Sequence, residues 1–235
     1  VDLTDEHLGS RLLDDAGPGE AAAARWQQHR TSRYADRVGA LVVPDTALAA
    51  VGRTAASLGT VVEVAVVVSG GAGGLVAAGR AVSGVRLTAA HATLRDLDDL
   101  AGNARRVVAA AAELDDVEIG VGLPWAPGWE AAVEEVEAAG LLATVVAGPH
   151  LADQLYVLVE ADLPYRVLPG LLAATAVLVE EADVERARRV LDTELEAMAV
   201  LADWPADGAA RIRRRLRGVG VLDVAAAAAA LTPRV

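Results

Sequence analysis

The sequence predicts an α/β fold, a (β/α) barrel of the TIM type with seven or eight strands and some irregularity; an open parallel sheet is the alternative. Three observations lead there. Short β-branched runs such as VVEVAVVVS (61–69) are apolar almost throughout, so both of their faces are buried, as in parallel sheets. Ala-rich helical stretches separate these runs, and the units recur about every 20 to 30 residues, the rhythm of parallel strands covered by helices. The chain has 235 residues, 54% of them hydrophobic, close to the roughly 250 of a one-domain barrel.

The units follow one another in order. Residues 1–37 are polar and helix-prone, with GEAAAARWQQHR the clearest helix, and read as a helical leader packed on a single barrel domain of residues 38–235. GALVVP (39–44) then leads into DTALAAVGRTAASLG, where Asp45 fits an N-cap and Gly59 a C′ position. VVEVAVVVS runs into a glycine segment. VRLTAAHAT (85–93) precedes DLDDLAGNARRVVAAAAEL, whose carboxylates are expected in the first helical turn, where the helix dipole favours them. DVEIGVGLP (116–124) leads into GWEAAVEEVEAAG, LLATVVAG (141–148) into HLADQLYVLVEA, and YRVLPG (165–170) into LLAATAVLVEEA. Two helical segments follow without a clear strand between them, then a weak strand candidate, VGVLD (219–223).

Composition removes whole classes of chemistry. The sequence has no lysine, so all 21 basic residues are arginines, and it has no cysteine. Schiff-base aldol chemistry, lysine-anchored pyridoxal phosphate and a P-loop lysine are excluded, as are a thiolate nucleophile and a disulfide. A net charge of −12 disfavours nucleic-acid binding, which rests on neutralising phosphates. The arginine-rich RIRRRLR (211–217) reads as an amphipathic helix, because Ile212, Leu216 and Val219 are spaced at i, i+4 and i+7. The acidic start of the chain lacks the pattern of a secretory signal, and no apolar run approaches 18 residues; a soluble, cytoplasmic protein is expected, with no nucleic acid or membrane as partner.

In a parallel barrel the site is built from the turns after the strands. That rule selects Asp45, Ser69 with Gly70 and Gly71, His91 with Thr93, Trp125, His150, Arg166 and Asp223. His91, near the end of its run, is the catalytic candidate, a general base or ligand at the mouth; the alternative is a core histidine bonded to a neighbour. Arg166 is a binding candidate, since guanidinium stays charged and grips carboxylate or phosphate; its alternative is a salt bridge to Glu118 or another strand carboxylate. Trp125, in PWAPGW with Trp129, could stack a planar ligand or simply pack. His150 follows AGP and is a binding candidate or a helix-capping residue. No metal motif occurs, and no G-x-S-x-G elbow.

The stretch VVVSGGAGGLVAAG (66–79) places four glycines in five positions between a strand and a helix. Tested as a dinucleotide fingerprint from Gly71, it has Gly73 next but Val76 at the third small position, and fails there. Two readings stay open: a turn whose bare backbone admits an anion at a helix N-terminus, or a crossover of low helix propensity.

The stretches RYADRVGALVVPDTALAAV, VEIGVGLPW, AAGLLATVVAG, DLPYRVLPG and RIRRRLRGVGVLD, spread over residues 33–223, resemble a set of uncharacterised (β/α)-barrel-like proteins from high-GC bacteria. The resemblance implies an acidic residue in the fourth of the six strand runs, basic residues in the fifth, and a lysine followed by a histidine pair at the sixth. This chain has Gly122, Thr144 with Val146, Arg166, and Leu171 with Leu172 at the corresponding places, which implies a diverged member whose polar mouth is lost or rebuilt. The expected function is accordingly a noncatalytic or weakly catalytic barrel that binds a small anionic ligand or contributes to a homo- or hetero-oligomeric assembly. The alternative is a lyase or isomerase, with His91 as acid/base and Arg166 holding a small anionic metabolite. No cofactor is assigned.

Overall fold

A computed structural model describes residues 11–17, 21–80, 82–146, 148–168, 183–192 and 213–230. Eight parallel strands close into a barrel in chain order: β1 (Leu13–Asp15), β2 (Val38–Pro44), β3 (Val62–Val68), β4 (Val85–Thr93), β5 (Glu118–Gly122), β6 (Leu142–Val145), β7 (Tyr165–Val167) and β8 (Leu216–Val221). The helices are α1 (Ala22–Arg30), α2 (Asp45–Ser57), α3 (Gly71–Ala78), α4 (Leu100–Ala111), α5 (Trp129–Ala138), α6 (Leu151–Glu160), α7 (Val184–Asp192) and α8 (Val224–Ala230). The ring closes where Leu13 pairs with Val219 and Asp15 with Val221.

The two faces of each strand meet different surroundings. Outward side chains such as Val64, Val66, Ala90, Ile119, Ala143 and Tyr165 form one continuous core with the apolar faces of the helices. That layer holds the fold together, since full burial of each Val or Leu contributes about 1.5–3 kcal/mol. Inward positions include small and polar residues. Ala40, Ala65 and Ala89 make a separate minor cluster, and Asp14 on β1, His91 on β4, Thr144 on β6 and Arg166 on β7 face the same lumen.

The closed ring decides the architecture in favour of the barrel and against the open sheet. It also corrects the reading of residues 1–37 as a helical leader. Leu13–Asp15 is a full member of the ring, and α1 packs outside it through Asp15, which accepts from Arg25 Nε at 2.8 Å and contacts His29 Nε2 at 3.0 Å. A three-residue strand containing two acids shows no apolar run, so periodicity misses it. The amphipathic-helix reading of 211–217 is corrected too: residues 213–215 are helical, but Leu216 starts β8, because its backbone completes the ladder between β7 and β1. Asp45 is the first residue of α2, preceded by Pro44 as cap. The acids of RDLDDL precede α4, with Asp99 as its N-cap accepting from Gly102 N at 2.8 Å. Ile212, Leu171 and Leu172 lie outside the described residues.

Candidate functional site

Arg166 projects into the barrel from β7, where its backbone pairs with Gly218 of β8. Glycine is needed there, because a Cβ on Gly218 would collide with the Arg166 guanidinium and the Asp14 carboxylate. The guanidinium spans the lumen. Its Nη1 donates to Asp14 Oδ2 on β1, while Nη2 and Nε donate to Glu118 Oε1 on β5, at 2.7 and 2.9 Å. Asp14 is fully buried, and its other oxygen accepts from Ala40 N at 3.0 Å. Burial pushes the Asp14 carboxyl up against the opposing charge of Arg166, and burial opposes the charge of Arg166 until Asp14 and Glu118 outweigh it. Both hydrogen-bonding edges of the fork are engaged by protein carboxylates.

His91 lies further along the same lumen on β4. Its Nδ1 meets Thr144 Oγ1 on β6 at 2.9 Å, across Gly120, whose missing side chain leaves room for both groups. Nε2 is buried without a hydrogen-bond partner. Burial first, and the charge of Arg166 second, lower the His91 pKa to about 3, so the imidazole is neutral at physiological pH. A base this weak and this enclosed is poorly matched to proton transfer near pH 7. His91 and Arg166 therefore share one lumen, as the sequence reading required for a joint site, but each is bound into the barrel interior and neither reaches the C-terminal surface.

The remaining predicted residues do lie at that end. Ser69 donates through both N and Oγ to Asp45 Oδ2, at 2.7 Å each. Those bonds hold the Asp45 carboxyl below its ordinary range in spite of its own desolvation. The Asp45 carboxylate bonded to Ser69 opposes an anion at that residue. Gly74 supplies close helix–strand contact, since a Cβ there would strike Val68. On the β5 and β6 loops, Trp125 stacks on His150 with centroids 5.3 Å apart and planes 12° apart, and tilts against buried Trp129 at 5.0 Å. His150 is the N-cap residue of α6 and makes no side-chain capping bond. Thr93 and Asp223 are exposed on the same end.

Sequence reasoning missed Asp14, the residue that locks Arg166, and Glu63, which bridges Arg11 and Arg86 at the strand starts. The alternative reading of Arg166 did name Glu118. Among the described residues, no group of three His, Cys, Asp or Glu side chains is placed to hold a metal ion. No helix among them is long and apolar enough to cross a membrane. An open depression of about 690 Å³ lies on α1 and the start of β3, lined by Trp26, Gln27, Arg30 and Val61 and by none of the predicted site residues. No family model, curated protein or solved structure matches the chain.

Proposed function

We propose that this chain is a noncatalytic barrel that joins an assembly through the C-terminal ends of its strands. The observation that carries this reading is a set of four large apolar side chains exposed on four different loops. Leu97 follows β4, Trp125 follows β5, Val146 follows β6 and Leu222 follows β8, with exposures between 42 and 72%. Apolar groups gathered on one face are characteristic of contact surfaces. The engagement of Arg166 by two carboxylates and the enclosure of neutral His91 argue against lyase or isomerase chemistry at these residues.

The same loops carry Asp96, Asp98 and Asp223 beside Arg95, so the apolar face has a largely acidic rim. Two copies meeting through it would oppose like charges. The partner is therefore a different protein, with an apolar centre and a basic border. On this reading the chain is a diverged, cytoplasmic member of the bacterial barrels it resembles, and Gly122 and Val146 belong to a mouth rebuilt for contact.

Native mass spectrometry of the protein isolated from its own host tests this. The expected result is a complex with a basic partner, dissociated by Trp125→Glu and by Leu222→Glu, with unchanged circular dichroism in both variants. A wild-type chain that is monomeric throughout, or that forms only homodimers, overturns the reading.

A further inference from the structure

Outside the barrel, one face of α1 is turned to hydrogen bonding. Ala24, Gln27 and Gln28 on α1 and Thr31 just past it follow the i, i+3, i+4, i+7 spacing of a single helix face. That face and the link from α2 to β3, Thr60 with Val61, are the two walls of the open depression of about 690 Å³. Trp26 is buried, and its Nε1 donates to Val61 O at 3.2 Å, which ties the two walls together. The volume is that of small-molecule sites, which span roughly 300–1,000 Å³.

Most of the polar groups that line it are unengaged. The Arg30 guanidinium is exposed and makes no hydrogen bond or ion pair among the described residues, and the same holds for the side-chain amides of Gln27 and Gln28 and for the Thr60 hydroxyl. Thr31 is the exception, since its Oγ1 donates to the carbonyls of Gln27 and Gln28 at 3.3 and 3.2 Å. Val61 adds an aliphatic side chain that is 60% exposed. No lining residue is acidic, although the chain carries 33 Asp and Glu residues. The depression therefore offers one cation, several neutral donors and acceptors, and an apolar wall.

We infer that this depression binds a small sugar acid of the uronate type, its carboxylate on Arg30, its hydroxyls on Gln27, Gln28 and Thr60, and the C–H face of its ring against Val61. Each part of the ligand follows from a part of the lining. A lone guanidinium matches one carboxylate with its forked donors, whereas a di- or triphosphate calls for several cations. Amide and hydroxyl side chains both donate and accept, as ring hydroxyls do. Val61 directly precedes β3, so the site lies at the strand starts and the proposed docking face at the strand ends. The two readings stand or fall separately.

Titration of D-glucuronate into the full chain, followed by NMR of the backbone amides, tests the site. Saturable shifts are expected at residues 24–31 and 60–61. Binding should weaken at least about tenfold in Arg30→Gln and about threefold or more in Gln28→Ala, as for loss of a charge-assisted and of a neutral hydrogen bond. Because Arg30 is exposed and bonded to none of the described residues, its variant should keep the wild-type Tm. Arg80→Gln, at an exposed position beyond α3, is the control and leaves binding unchanged. Two analogues divide the lining: glucose lacks the carboxylate, cyclohexanecarboxylate lacks the hydroxyls, and each is expected to bind at least about tenfold more weakly than glucuronate. A uronate disaccharide separates the sources, tighter binding assigning the site to a glycan chain and equal or weaker binding to the free acid. Absence of saturable shifts, shifts centred elsewhere, or either analogue binding as well as glucuronate overturns the inference.

Discussion

His91 is a side chain whose chemistry is set by where the strand puts it. Its alternation on β4 turns it inward, burial removes the water that would solvate an imidazolium, and Arg166 adds a like charge nearby. The folded pKa of about 3 lies below the ordinary value near 6.5, so between those limits the unfolded chain binds the proton that the folded chain refuses. Stability from this group is therefore fully present above about pH 6.5 and lost as pH falls from there toward 3. In a His91→Gln variant that part of the acid destabilisation should disappear, and urea unfolding across pH 4 to 7 reads it as a flatter pH dependence than wild type, roughly by the slope of one proton. A variant with the wild-type slope would show that His91 is not the group responsible. Arg166 is the complementary case. Its residue type and position were legible, and so was Glu118 as a partner; Asp14 was not, because LLDD reads as a polar segment until closure places its third residue inside the barrel.

The glycine segment shows how much of an element is decided by local conformation. Gly71 has φ +59, which a Cβ makes unfavourable, whereas Gly73 has open space around an added Cβ and no positive φ. Thermal unfolding should separate the two: Gly73→Ala is expected to stabilise by about 0.5–1 kcal/mol through better helix propensity, and Gly71→Ala to destabilise by about 1 kcal/mol or more. Equal effects would contradict the assigned turn. Six strand runs were legible, β3 most clearly, because burial on both faces leaves an almost uninterrupted β-branched sequence there. The start of β8 was not. Leu216 and Val219 satisfy a helical spacing equally well, and only pairing with β7 and β1 selects the strand.

For the whole molecule, closure depends on the segment that the sequence sets apart as a leader. β1 joins β8 to β2, Val219 N donates to Leu12 O, and Asp14 supplies half of the Arg166 clamp. Removing residues 1–37 should leave two unpaired strand edges and a buried arginine with one carboxylate fewer. Circular dichroism on heating is expected to show no cooperative transition for the truncated chain; a sharp transition would mean that residues 38–235 fold by themselves. What the sequence by itself determined is the α/β class, the barrel rhythm and the chemistry excluded by missing lysine and cysteine, since these follow from composition and from patterns local to each unit. Only the tertiary structure decided that Leu13–Asp15 is a strand of the ring, the engagement of Arg166 by Asp14 and the neutrality of His91. Those depend on which inward positions of strands distant in sequence come to share one lumen, and that is fixed by ring closure and register, to which no single segment holds the key.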